Sequence, residues 1–230
     1  MRITIAHLYP KEMNLYGDSG NVRCLCFRLQ KRGYEPDVRE VGAGDRLGDF
    51  DILFIGGGQD REMNIISRDL KRKSDELSYA VHSEKTILAI CGGYQLLGSY
   101  YQSADGSVMS LSGALNFYTV GGSERMIGNI VYKTPFGNVV GFENHSGKTY
   151  LGDSLSPLGR VVSGFGNNGE DRGEGLLFKN TFCTYAHGCV LPKNPAFADE
   201  IIRRATGADL APLDDTEESI CHDLLIKRFS

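Results

Sequence analysis

Cys91 stands where the apolar, partly β-branched run Thr86 to Ile90 meets two glycines, in the segment TILAICGGYQLLG. A thiol at a tight strand-to-helix turn is lifted above the sheet edge, and small neighbours such as Gly92 and Gly93 relieve the crowding. The spacing therefore predicts an exposed Cys91. The N-terminus of the following helix would lower the thiol's pKa, and it leaves the N–H of Gly92 free for a developing oxyanion. These features suit acyl transfer, although taken alone the segment fits a packed strand-end thiol equally well. A nucleophilic cysteine needs a base. Of the five histidines, His187 in TYAHGCVLPKNP is best placed, at a strand end and followed by Gly188, and His145 in FENHSG is second. His7 and His82 take packing positions, and His222 lies in the terminal segment. A second glycine-ended strand, FIGGGQD, offers another N–H at Gly57 or Gly58.

Two apparent nucleotide motifs fail. GAGDRLG (42 to 48) has its third glycine one residue late and is followed by a strand, which makes it a turn. GFENHSGKT ends like a phosphate loop, but Phe142 occupies the place of its first glycine. No ATP site is expected in this chain. The six cysteines, Cys24, Cys26, Cys91, Cys183, Cys189 and Cys221, have irregular spacing and read as free thiols, and no metal site is expected. A net charge of -4 without a basic stripe argues against nucleic acid as a partner. No apolar run approaches the ~20 residues that span a bilayer, and the N-terminus turns polar too early for a signal peptide, so a cytoplasmic protein without membrane insertion is expected.

The elements that must carry these residues alternate in the first half. RITIAHLY is a strand, 21 to 32 a helix with Val22, Leu25, Cys26 and Leu29 on one face, EPDVREV a strand, DILFIGGG a buried strand, 62 to 83 a helix, and TILAIC a buried strand. Apolar strands alternating with helices imply a mostly parallel sheet covered on both faces. From about residue 105 short strand candidates follow one another between Gly, Asn and Ser turns, making the second half β-rich. A helix at about 195 to 206 precedes the tail 206–230, whose Ile220, Leu224, Leu225 and Phe229 are expected to dock on the core rather than on a partner. The 230 residues read as a single domain.

The strand–GGG, strand–CGG-x-Q and strand–HG motifs, in this order, resemble the class I glutamine amidotransferases. CGGYQLLG is closest to their cobyric acid synthase type, and NLYGDSGN, GGGQD, RMIGN, GFENHSG and HGCVLPKNP together resemble the small glutaminase subunits of lipid II isoglutaminyl synthases. The resemblance implies a three-layer, flavodoxin-like α/β fold and hydrolysis of L-glutamine. It makes Cys91 the nucleophile, His187 the acid and base, Gly57 and Gly92 the oxyanion donors, and Arg125 and Gln95 neighbours of the bound glutamine. It also implies a heterodimer with a Mur-ligase-like synthetase subunit that binds ATP and amidates the D-glutamate of lipid II. Two departures stand out. Many members carry an acid two residues after the histidine, where this chain has Cys189; a backbone carbonyl, Asp18, Glu143 or a partner carboxylate is then left to orient His187. Ile90 precedes the nucleophile where the general turn often has glycine, as in the cobyric acid synthase branch. Competing readings are a glutaminase serving a corrinoid acceptor, and a non-catalytic binding or regulatory subunit on the same fold.

Overall fold

The computed structural model describes all of residues 1–230. The chain starts with β1 (Arg2–Leu8), a short 3-10 turn at Leu15–Gly17, α1 (Ser19–Lys31), β2 (Glu35–Val41) and β3 (Ile52–Ile55). Next come α2 (Asp60–Arg72), α3 (Ser74–His82), β4 (Thr86–Ile90) and the five-residue α4 (Gly92–Leu96). The single helix expected over 62 to 83 is thus two. The chain turns at Lys73, which is buried, paired with Asp69 and directed to the Gly42 carbonyl; this anchor overrides the continuous helical periodicity.

The second half contains β5 (Tyr100–Gln102), β6 (Val108–Ser110), β7 (Phe117–Thr134), β8 (Gly137–Leu151), β9 (Gly159–Ser163), β10 (Gly173–Glu174), β11 (Leu176–Phe178) and β12 (Thr181–Thr184). α5 (Pro195–Thr206) and α6 (Thr216–Phe229) complete it. Several short strands expected here are parts of the long β7–β8 hairpin, in which Gly147, Lys148 and Thr149 of the GKT sequence are ordinary strand residues.

Two sheets result. The first runs β11-β12-β4-β3-β1-β2, with every pair from β12 to β2 parallel and β11 antiparallel at one edge. Every residue of β3, β4 and β12 is buried, as continuous apolar runs require in a sheet covered on both faces. The second sheet runs β10-β9-β7-β5-β6, with β8 paired to β7, and burial in β8 alternates as expected for strands with one face inward. One continuous apolar cluster extends from Ile3 to Ile202. α6 departs from the expectation of core docking. Leu225, Ile226 and Phe229 are half-buried, but Ile220 and Leu224 are 56% and 62% exposed, because the helix lies on the surface with one face only turned inward.

Candidate active site

The C-terminal ends of β1, β3, β4 and β12 lie side by side, the edge at which open parallel sheets present their ligand sites. Cys91 follows β4 directly. Its backbone is at φ +48°, ψ -106°, a strained conformation for a residue with a side chain, held by its N–H donating to the Thr184 carbonyl (2.8 Å) and its own carbonyl accepting from Gln95 N–H (2.9 Å). Cys91 is 5% exposed rather than open to solvent, and its contact with the outside is through a cavity that it lines.

His187 lies three residues beyond β12 and is fully buried. Its backbone N–H donates to the Phe142 carbonyl of β8 (2.7 Å), which fixes the turn. Its Nδ1 is 3.3 Å from Asp18 Oδ2, so Nε2 is the nitrogen left for the thiol. Neither ring nitrogen makes a well-aligned hydrogen bond in this arrangement, as in many catalytic sites that tighten around substrate. Burial opposes charging the ring, but the neighbouring Cys91 and Asp18 side chains outweigh it and raise its pKa well above the ordinary histidine value.

Asp18 therefore faces His187 from the start of α1, where the helix dipole favours an anion. Its Oδ2 also accepts the Gly57 N–H at 2.7 Å. Glu143, the other carboxylate considered, has its oxygens committed to the N–H groups of Phe165 (2.7 Å) and Gly166 (2.9 Å). Cys189, in the place of the usual acid, donates its thiol to the Gly17 carbonyl (3.1 Å) and packs so closely on Gly20 that a β-carbon there would come within 2.3 Å of the sulfur. The chain thus brings its carboxylate from a neighbouring loop and uses position 189 to seat that loop.

Of the two glycine assignments, only that of Gly57 shifts, by one residue to Gly58. The Gly57 N–H is occupied by Asp18, whereas the Gly58 N–H has no partner, and neither has that of Gly92, the first residue of α4. A β-carbon on Gly92 would lie 2.7 Å from the Gly58 nitrogen, so these two free amides are adjacent beside Cys91. Gly57 is needed for another reason. A β-carbon there would stand 2.4 Å from His187 Cε1.

The cavity in front of Cys91 measures about 290 Å³, and its walls include Gly58, Asp60, Gln95, Arg125 and His145. Gln95 donates from Nε2 to the Tyr185 hydroxyl (3.1 Å), leaving its amide oxygen unbonded. Arg125 donates from Nε to Asn144 Oδ1 (2.7 Å), while its two terminal nitrogens are unpaired. His145 is stacked on Tyr185 (3.7 Å between centroids) with Nδ1–H on the Gly147 carbonyl (2.8 Å), which makes it a wall of the cavity and not the partner of Asp18. No group of three or more His, Cys, Asp or Glu side chains is arranged to hold a metal ion. Sequence motifs located Cys91, His187, Arg125 and Gln95. They gave no role to Asp60, although it closes the GGGQD motif, and they missed Tyr101, which reaches the cavity from β5 without a motif of its own.

A thiol, an imidazole, a carboxylate and two free amides around one cavity can form and hydrolyse a thioester. Comparison with known proteins points the same way. The model of the CobB/CobQ-like glutamine amidotransferase domain matches residues 4–195. The chain is 39% identical over 218 residues to the lipid II isoglutaminyl synthase (glutamine-hydrolyzing) subunit GatD of Staphylococcus aureus (strain N315), covering 94% of this chain and 89% of the relative. To the Streptococcus pneumoniae (strain ATCC BAA-255 / R6) subunit of the same name it is 41% identical over 209 residues, 89% and 80% of the two chains. A probable cobyric acid synthase of Methanothermobacter thermautotrophicus is 34% identical over 200 residues, but these are 75% of this chain and only 39% of that protein. Among solved structures, PurLQS from Thermotoga maritima superposes with a TM-score of 0.55 at 18% identity, covering 90% of this chain and 99% of the other, a likeness of fold.

Proposed function

The chain belongs to the CobB/CobQ-like glutamine amidotransferases, and from that membership we propose that it is the glutaminase subunit of a lipid II isoglutaminyl synthase. The observation that carries the chemistry is Cys91 set between the free amides of Gly58 and Gly92, in a cavity shared with Arg125 and backed by the His187–Asp18 pair.

The α-carboxylate of L-glutamine pairs with the unpaired guanidinium nitrogens of Arg125, and the Gln95 amide oxygen accepts from the substrate. Cys91 Sγ, as the thiolate, attacks the side-chain carboxamide carbon, and the oxygen that gains charge is met by the Gly58 and Gly92 N–H groups. His187, charged and oriented by Asp18, gives its proton to the nitrogen as the C–N bond breaks, releasing ammonia and leaving a thioester. The now neutral imidazole takes a proton from water, the hydroxide equivalent attacks the thioester carbon, and glutamate leaves as Cys91 regains its thiolate.

Similarity over most of both chains to the same-named subunit from two organisms supports the acceptor. The corrinoid alternative has weaker support, since the match covers well under half of the cobyric acid synthase chain. In our reading the ammonia passes to a Mur-ligase-like partner that activates the D-glutamate carboxylate of lipid II with ATP, and the need for ATP places the complex in the cytoplasm. The test is to copurify the native partner and assay amidation of lipid II with glutamine or with ammonium. Cys91→Ser abolishes the glutamine-dependent reaction and leaves the ammonium-dependent one intact. Retained glutamine turnover in that variant removes the mechanism, and failure of the wild-type complex to amidate lipid II removes the acceptor.

A further inference from the structure

Arg125 is linked to His187 by a chain of contacts that the chemistry above does not use. Arginine has only donors, so Asn144 must turn its amide oxygen to Arg125 and its NH2 outward, and that NH2 donates to the Tyr16 hydroxyl. The Tyr16 ring in turn stands edge-on to the His187 ring, with centroids 5.1 Å apart and planes at 73°, and edge-on to Phe142 at 6.1 Å. Tyr16 holds this place with a left-handed backbone, φ +57°, followed by Gly17 at φ +73°, and with 48% of its surface in water. An exposed tyrosine in a conformation that disfavours side chains needs compensating contacts, and beside the two ring contacts the bond from Asn144 is the one its hydroxyl makes. The same turn ends in Asp18, so residues 16 to 18 deliver both a ring and a carboxylate to one histidine.

We propose that Asn144 and Tyr16 are positioning residues that couple occupation of Arg125 to the placement of His187. A substrate α-carboxylate on the free end of Arg125 fixes a guanidinium that is otherwise exposed. The fixed guanidinium holds the Asn144 amide, the amide holds the Tyr16 hydroxyl, and the ring presses His187 toward Asp18. Full proton transfer then requires a ligand with a free carboxylate at the far end of the pocket, which favours glutamine over other carboxamides. The inference rests on the glutaminase reading.

The test uses the complex copurified with its native partner, with L-glutamine and with L-glutaminamide, whose α-carboxyl is neutral. Tyr16→Phe keeps the ring and loses only the hydroxyl; Asn144→Ala removes the middle of the chain. On glutamine each lowers kcat about tenfold, the effect of one lost hydrogen bond on a barrier, and the double variant is no slower than either single one. KM changes less than about threefold in Tyr16→Phe, since no atom touching substrate is removed. On glutaminamide, wild type and Tyr16→Phe have the same kcat. Equal losses on both substrates make Tyr16 a merely structural residue and overturn the inference, as does an unchanged kcat on glutamine. A wild-type complex that hydrolyses no glutamine removes the glutaminase reading and this inference together, whereas wild-type turnover retained in both variants removes the inference alone.

Discussion

Asp18→Asn isolates the charge that faces His187. The carboxylate oxygen is 3.3 Å from Nδ1, and two unit charges at that separation interact by about 5 kcal/mol at an effective dielectric of about 20. An asparagine keeps only a dipole in the same place, so most of that interaction, about 3–4 kcal/mol, is lost from the charged form of the ring. At 1.36 kcal/mol per decade the expected loss in kcat is about 10²- to 10³-fold. KM is expected to stay within about threefold, because Asp18 touches no substrate. Folding is spared, since the asparagine oxygen can still accept the Gly57 N–H that Asp18 now accepts at 2.7 Å. Asp18→Ala is the contrasting variant: it orphans that buried amide and adds about 1–3 kcal/mol of destabilisation to a similar loss of rate. Glutamate release measured as a function of pH, with a thermal melt of each variant, separates the two effects. The raised His187 pKa depends on Asp18, so the alkaline limb of kcat must move to lower pH in Asp18→Asn. A variant within about threefold of wild type, with an unmoved alkaline limb, would refute the role given to Asp18.

Arg125→Ala removes the only unpaired guanidinium on the cavity wall that also bonds Asn144, and it is expected to raise KM for glutamine about 10²-fold; an unchanged KM in steady-state kinetics sinks the carboxylate site. Gly57→Ala places a methyl 2.4 Å from His187 Cε1 and is expected to lower kcat by more than about 10²-fold, whereas Gly128→Ala, whose added methyl meets nothing within 4 Å, leaves both kcat and Tm near wild type. Glu174 is fully buried, and burial raises its carboxyl to about 7 from 4.5. Because the folded form binds the proton more tightly, this group's contribution to stability is complete below pH 4.5 and is lost as pH rises through 7, by up to about 3 kcal/mol. Glu174→Gln retains the oxygen that accepts from Thr184 Oγ1 (2.6 Å) and Tyr185 N–H (2.8 Å), so its Tm is expected to match wild type near pH 4.5 and to exceed it by roughly 5 °C at pH 8. A difference in Tm that does not change with pH contradicts this assignment.

How much could be read from the sequence depended on whether a residue's partner was nearby in the chain. The buried strands were legible because β3, β4 and β12 are unbroken apolar runs, and their glycine or histidine ends located three parts of the site. The split of α2 from α3 was not, because it is caused by Lys73 reaching Asp69 and Gly42, a tertiary pairing that leaves the helical pattern unchanged. β5 and β6 escaped for a similar reason: three-residue strands acquire their identity from pairing with β7. The exchange of Gly57 for Gly58 as the free amide was invisible since only the Asp18 contact, 39 residues away, decides it. The exposure expected of Cys91 failed because the turn motif says which way the thiol points, and not that β7 and β8 carry Arg125 and His145 in front of it.

The placement of Asp18 also explains why α1 is tied down so heavily at its far end. Arg28 is 3% exposed and bonds both oxygens of Asp199 and both of Asp215 at 2.6 to 2.8 Å; Arg32 adds a bond to Asp199 and one to the Ala211 carbonyl. Burial by itself would disfavour the Arg28 charge, and the two carboxylates more than restore it. A histidine-orienting acid on the residue after next would be held by the strand that carries the histidine. An acid on the first turn of a separate helix has no such tether, and a rotation of α1 by a fraction of a turn would take Asp18 out of reach of Nδ1. Two clamps prevent that rotation. At the N-terminal end Cys189 packs on Gly20 and binds the Gly17 carbonyl, and at the C-terminal end the buried arginines lock α1 to α5 and to the segment leading into α6. Placing the carboxylate that faces His187 on another element thus transfers the demand for rigidity from one strand to a whole helix, and the residues that meet it lie far from the histidine they serve.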